Sequence, residues 1–378
     1  MWASPLWVQK GWFMTERPIL SVIIPVYNME RYIATCLSAI LSLQDQSIEI
    51  IAVDDGSTDR TNDVLRSFLD RRLKVVTRPQ GGPSAARNTG FKYARGRFIL
   101  PFDADDIPIV ENWPAILATL TANPDAVVVY GARRVFEADA DNFPRIPSRE
   151  VYPSSDEVIP LIFRKNFMQM GAAFIRREAI ETAGPWNEGL WHGEDWDMWC
   201  RLACLGQFIH VPVLVIGYRR HAQSSTGTTV SRDAPDPGIA AIEAIYSNPS
   251  VLALAGADHS KLKNLALAWR TYYWGTSLIR SGAIWPGVKA LAWAISRDPT
   301  RFLFLCSFPK RYMRRRLEQS ESTIQMRSES DMVAGKLRAE QDYSTVRPSS
   351  THAHQGALRV EDLDTNERQR DLIKISVP

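Results

Sequence analysis

Hydrophobic positions in the first third of the chain alternate between short runs and helical stripes. Leu20-Ser-Val-Ile-Ile-Pro-Val26 is an apolar, β-branched run, which predicts a strand covered on both faces. Met29 to Leu43 then places Ile33, Leu37, Ile40 and Leu41 at helical spacing. The alternation continues with strands at Ile48–Val53, Leu73–Thr77 and Phe98–Phe102, and helices at Thr58–Leu69 and Ser84–Ala94. Short connections between alternating strands and helices predict a parallel sheet with helices on both faces. Ligands of such sheets bind beyond the carboxyl ends of the strands, where Asn28, Asp54-Asp55 and Asp103 to Asp106 all fall.

Further along, Asp125–Gly131 reads as a strand and Arg133–Pro153 as a loop rich in proline and charge. Gly171–Arg176 reads as a strand and Glu194–Leu205 as an amphipathic helix. Gln207–Arg219 reads as extended chain broken at Pro212. Beyond Pro237 the pattern is helical only: Ile239–Tyr246, Leu262–Ile279, Trp285–Ile295 and a last helix around Thr300–Arg315. The expected organisation is an extension over 1–17, an α/β domain over 18–232, a helical region over 233–318 and a tail over 319–378. The tail is polar and short of large apolar residues, so it is expected to be disordered.

Composition narrows the classes. The 378 residues exceed what one small core needs, and a formal net charge of +3 gives no reason to expect a nucleic-acid partner. Cys36, Cys200, Cys204 and Cys306 follow no disulfide or zinc pattern, which favours a reducing, cytoplasmic setting. Met1 to Thr15 holds Trp2, Trp7, Trp12 and Phe13 but no long apolar stretch. Either a start site assigned upstream of Met14 or an aromatic segment resting on a membrane explains it; the first is preferred.

Chemistry enters at the strand ends. Asp103-Ala-Asp-Asp106 follows the apolar run Phe98–Phe102; carboxylates packed so tightly repel one another unless a cation sits among them. Hard oxygen ligands suit Mg²⁺ or Mn²⁺, and the plainer alternative is a solvated acidic turn. Asp54-Asp55-Gly56-Ser57-Thr58 is a strand-to-helix turn in which Ser57 or Thr58 serves as a cap. Capping leaves the two adjacent carboxylates unexplained, and a carboxylate there can accept from a pyrimidine imide or a ribose hydroxyl. Gly81-Gly82-Pro-Ser-Ala-Ala-Arg87-Asn88-Thr-Gly90 permits close backbone approach, with Arg87 a candidate support for the acidic edge.

Ser21-Val-Ile-Ile-Pro-Val-Tyr-Asn28, Asp54 to Asp59, Gly81 to Gly90 and Phe102-Asp-Ala-Asp-Asp106 together resemble the successive motifs of the family 2 glycosyltransferases, over roughly Leu20 to Ser225. The resemblance implies the GT-A fold: a Rossmann-like, mostly parallel sheet with helices on both faces. It also implies inverting sugar transfer from a nucleotide-diphosphate donor, a UDP-sugar being favoured, to a glycan or lipid-linked acceptor. Pro25, Tyr27, Asp54, Asp55 and Arg87 would then form the nucleotide pocket, with Asp54 on the base. Asp103-Ala104-Asp105 matches the DXD element, so Asp105 would ligate Mn²⁺ or Mg²⁺ and Asp103 would contact ribose or metal; Asp106 is not separable from Asp105 at this stage.

Glu194-Asp195 resembles the later ED motif that supplies the catalytic base. Its place in the first turn of a helix favours an ionised carboxylate. Trp186, Trp191 and Trp196 flank it as sugar-stacking or core residues. Tyr218-Arg-Arg-His221 resembles a further element in which His221 completes the metal site or contacts diphosphate, with Arg219 or Arg220 on phosphate oxygens.

The Gln-x-x-Arg-Trp motif of the processive synthases is absent, which argues against a polymer-extruding enzyme. A nucleotidyltransferase or a NAD-dependent oxidoreductase would need a glycine-rich turn after the first strand, where Pro25-Val-Tyr-Asn28 stands. A non-catalytic nucleotide-sugar-binding protein remains the alternative from another class. The aromatic helices beyond Ile239 and the run Lys310, Arg311, Arg314, Arg315, Arg316 suit an anionic membrane on its inner face. Packing against the α/β domain with a solvated basic end explains the same residues.

Overall fold

The computed structural model describes residues 17–137, 152–153, 155–221 and 236–302. The N-terminal extension, most of the loop after 137, the helix expected around Thr300–Arg315 beyond its first turn, and the tail lie outside them. The first half holds β1 (Leu20–Val26), α1 (Ile33–Leu41), β2 (Ile48–Asp54), α2 (Thr61–Ser67), β3 (Leu73–Thr77), α3 (Pro83–Tyr93) and β4 (Phe98–Pro101). Next come β5 (Ile107–Pro108), α4 (Trp113–Ala122), β6 (Ala126–Glu137), α5 (Ser155–Ile162), β7 (Ala173–Arg176), α6 (Arg177–Ala183), α7 (Glu194–Ala203) and β8 (Gln207–Arg220). Helices α8 (Gly238–Ile245), α9 (Pro249–Ala255), α10 (His259–Arg280) and α11 (Ile284–Arg297) complete the described chain.

All strands join one sheet in the order β3-β2-β1-β4-β7-β6-β8-β5. The β3-β2-β1-β4 half is parallel, as the alternation predicts. In the other half β6 pairs parallel with β8, while β7 runs antiparallel to both β4 and β6 and β5 antiparallel to β8, so the sheet is mostly parallel with antiparallel members that the alternation did not reveal. Buried apolar runs look alike in either direction, so periodicity carries no information about strand polarity. Two boundaries also move. β6 continues through Arg133 to Glu137, and β8 runs through Pro212 because the β6–β8 pairing skips from His210 to Leu214. Proline is tolerated where the ladder is interrupted.

Side chains of β1 alternate between two cores. Leu20, Val22, Ile24 and Val26 pack with Ile33 and Leu37 of α1 and Trp113 of α4, whereas Ile23 joins Val53, Ala86 of α3 and Trp199 of α7. α3 lies against the sheet because Gly90 has no side chain: a Cβ there would be 3.2 Å from Val53 and closer still to Ile23. Ile242, Ile245, Tyr246, Val251 and Ala266 of the C-terminal helices share the core that holds Trp196 and Trp199, and all described residues fall in one compact unit.

Candidate functional site

The loops after β1 and β2 are laced together at the carboxyl edge of the sheet. Asn28 takes a left-handed φ of 53°, and its Oδ1 accepts from the Thr58 amide at 2.8 Å while its own amide donates to Ser57 Oγ at 3.0 Å. Asp54 is buried and accepts from the Ser57 amide at 3.0 Å and from Asn62 Nδ2 at 2.7 Å. Asp55, also buried, accepts from the Gly81 and Gly82 amides, the latter at 2.7 Å, and from Arg78 at 2.8 Å. Both carboxylates are therefore holding loops. Asp55 pins the amino end of α3, where Gly82 has φ 88°. Tyr27 stands half-exposed beside this edge, and Pro25 pairs with Val53 beneath it.

From that anchor α3 runs across the site, and Arg87 is its central residue. The guanidinium is buried and bridges Asp103 Oδ1 at 2.8 Å and Glu194 Oε1 at 2.9 Å. Burial would lower its affinity for the proton, but the two carboxylates hold it above its ordinary value. The next residue, Asn88, fixes the segment before α7: it accepts from the Trp186 amide at 2.8 Å and donates to the Trp186 carbonyl at 2.9 Å. One helix thus ties the glycine loop held by Asp55, the acidic turn and the start of α7 into a single polar frame.

Within the acidic turn the three aspartates separate. Burial raises the Asp103 carboxyl above the usual range, with Arg87 opposing and Asp105 adding to the rise. Asp106 is buried, accepts from the Arg219 amide at 2.9 Å, and is pushed well up by burial and by Asp105 and Asp103. It braces the end of β8. Asp105 faces the site: its Oδ2 lies 2.8 Å from His221 Nε2, while its carbonyl accepts from Arg219 Nε at 2.8 Å. The His221 ring in turn packs on Tyr32 with centroids 4.8 Å apart.

No closed cluster of three His, Cys, Asp or Glu ligands occurs among the described residues. Asp105 Oδ2 and His221 Nε2 are hydrogen-bonded to each other at 2.8 Å. The carboxylates of Asp103 and Asp105, on one turn, are oxygen donors of the kind that a hard divalent cation takes.

Across the frame, α7 begins after Gly193, which takes a left-handed φ of 79°, and carries Glu194 and Asp195 in its first turn. Glu194 is engaged by Arg87. Asp195 Oδ1 accepts from the Trp196 amide at 2.7 Å and Oδ2 from Asn166 Nδ2 at 2.8 Å. The helix terminus was expected to keep this carboxyl ionised; instead burial and the Glu194 charge outweigh it and push Asp195 up to about 7. Trp186 and Trp196 are core residues, whereas Trp191 is 66% exposed and its ring lies 3.5 Å from where a Gly82 Cβ would be.

Asn166 and Arg78 are the site residues that sequence reading missed. Asn166 lies in a segment without periodicity, and no local signal marks it. Arg78 was in principle detectable, since a buried Asp55 beside a glycine loop needs a cationic partner.

Comparison with known proteins agrees with this architecture. Residues 21–184 match the model of glycosyl transferase family 2, and that segment of the chain is a family 2 glycosyltransferase domain. Glycosyltransferase GlyG of Streptococcus pneumoniae is 37% identical over 128 residues, 33% of this chain and 42% of GlyG. Five curated relatives at 37–42% identity are matched over only 13–42% of their own lengths. The fold is similar to that of S. aureus TarS 1–349 in complex with UDP-GlcNAc (TM-score 0.55, 19% identity, 75% of this chain and 82% of that chain). It is also similar to mannosyltransferase PcManGT from Pyrobaculum calidifontis in complex with GDP-Man and Mn²⁺ (TM-score 0.50, 19% identity, 76% and 84%).

Proposed function

We propose that this chain transfers a sugar from a nucleotide-diphosphate donor, a UDP-sugar being favoured, to a hydroxyl of a glycan or lipid-linked acceptor, with inversion at the anomeric carbon. The observation that carries the reading is the frame Asp195–Glu194–Arg87–Asp103. It holds a carboxyl poised near neutrality on one side and an acidic, cation-ready turn on the other. The family 2 domain supports the reaction class, and the UDP-GlcNAc complex of TarS supports the donor class.

Tyr27 flanks the base, and the loops held by Asp54 and Asp55 position the ribose and diphosphate. Asp195 accepts the proton of the acceptor hydroxyl as its oxygen bonds to the anomeric carbon from one face. The bond from that carbon to the diphosphate oxygen breaks on the other face, and its electron pair leaves with the diphosphate. Asp105 and His221, with Asp103 beside them, would hold Mn²⁺ or Mg²⁺, which when bound neutralises charge on the leaving group. Glu194 and Arg87 keep Asp195 aligned, and Trp191 offers an aromatic face to a sugar ring.

The test is nucleotide release from a panel of nucleotide-sugars with Mn²⁺, Mg²⁺ or EDTA, using wild type, Asp105→Ala and Asp195→Asn. Turnover of one donor, abolished by EDTA and by either substitution, is expected. Turnover that survives EDTA and Asp105→Ala removes the metal role. Binding of a donor with no turnover by wild type, whatever acceptor is supplied, favours the non-catalytic alternative.

A further inference from the structure

None of the candidate site residues lies on the α10–α11 hairpin. Its two helices are held closely together: a Cβ on Gly275 would sit 3.0 Å from the Gly287 carbonyl, and Tyr272, Leu291 and Ala294 form a small core of their own. Gly287, Leu291 and Ala294 thus mark the inner face of α11.

The outer face is not the polar surface that such packing leaves free. Ile284 and Val288 are one turn apart and 51% and 42% exposed, and Trp285 beside them is 76% exposed. Single exposed apolar residues are ordinary, but a Trp–Ile–Val edge on one turn is an apolar patch that water does not favour. Neither α10 nor α11 contains an Asp or Glu. Of their basic residues, Arg270 is paired with buried Asp236 and Lys263 with Glu243, while Lys261, Arg280, Lys289 and Arg297 are exposed. Lys289 is on α11 next to Val288, and the Arg297 guanidinium lies 4.3 Å over the half-exposed Trp293 ring.

We propose that this hairpin docks on an anionic lipid surface, with Ile284, Trp285 and Val288 entering the interface and the exposed Lys289, Arg280 and Arg297 on the headgroups. Tryptophan beside a basic, acid-free helix face is the chemistry that an anionic bilayer surface selects. A second copy of the chain is a poorer occupant, since pairing two such hairpins would bring like charges together. Among the described residues no single helix is long and apolar enough to cross a membrane. A bent pair, Gly238–Ile245 with Pro249–Arg280 at 74°, meets that criterion only jointly, and its Ile242, Ile245 and Ala266 are core residues. The contact is therefore peripheral. It does not depend on the transfer reading.

The experiment is co-sedimentation of the full chain with vesicles of phosphatidylcholine alone or with phosphatidylglycerol, at low and high salt. Wild type is compared with Trp285→Ser/Val288→Ser and with Lys289→Glu. Both are surface changes, so nucleotide binding serves as the folding control. Expected is binding to the anionic vesicles only, weakened by salt, about tenfold or more weaker in the double variant. Lys289→Glu should cost at least about fivefold, since one basic residue near an anionic surface is worth about that factor. Failure of wild type to bind anionic vesicles overturns the proposal. So does equal binding by the double variant, which would place attachment elsewhere, such as the basic run at 310–316. A dimer that the double variant dissociates, without vesicle binding, would assign the face to a second copy and equally overturn it.

Discussion

Asn166 donates a hydrogen bond to Asp195 Oδ2 at 2.8 Å, and nothing else about Asn166 suggests a role in chemistry. Asn166→Leu keeps the approximate volume and removes the donor. Burial and Glu194 hold the Asp195 carboxyl at about 7, and the Asn166 bond opposes them by favouring the ionised form. A hydrogen bond to a charged group contributes about 1.5–3 kcal/mol. At about 1.4 kcal/mol per pH unit, its loss raises the pKa by about 1–2 units. The sign follows directly: a base must be ionised, so the acid limb of kcat/KM moves from near pH 7 to about 8–9. Activity at pH 7 falls by about 5- to 50-fold and returns to within about twofold of wild type above the new limb. The assay is nucleotide release across pH 5.5–10 with the donor found active. A limb that stays near 7, or a loss equal at every pH, would refute the role given to Asp195 and Asn166.

Arg87→Met leaves Asp103 and Glu194 facing each other without a counter-charge, and should cost about 3–5 kcal/mol in urea unfolding. That deficit should shrink from pH 8 to pH 5, because carboxylates whose folded pKa is raised destabilise only where they are ionised; equal deficits at both pH values would count against the ionic frame. Gly90→Ala forces a methyl against Ile23 and Val53 and should lower stability by about 1–3 kcal/mol by thermal unfolding, with the site residues unchanged. Trp191→Ala should leave stability within about 0.5 kcal/mol, because the ring is exposed. Its effect should appear as a several-fold higher KM for sugar donor or acceptor; an unchanged KM for both would remove it from the site.

Much of the site was legible because its chemistry is written in short segments at strand ends. Asp54-Asp55, Asp103 to Asp106 and Glu194-Asp195 are each local departures from a pattern that otherwise explains itself by caps, turns and cores. Continuous apolar, β-branched runs located β1 to β4, and helical spacing located α1 to α3, to within a few residues. The helices α4, α5, α6 and α9 escaped, as did the reach of β6 to Glu137, since short elements in charged or proline-bearing stretches leave weak periodic signals.

By itself, then, the order of residues determined which strands are buried and which strand ends carry carboxylates, and its motifs carried the resemblance that implies a nucleotide-sugar donor. Only the tertiary structure decided how those carboxylates divide their work. Asp106 braces β8, Asp55 pins α3, Asp105 meets His221, and Asp195 is lifted to about 7. The physical reason is that ionisation and pairing depend on distances between residues far apart in the chain. Arg87 and Glu194 are 107 positions apart and Asp105 and His221 are 116 apart, and no local pattern encodes a contact of that separation. The same holds for β7, whose direction was settled by its neighbours β4 and β6 rather than by its own four residues.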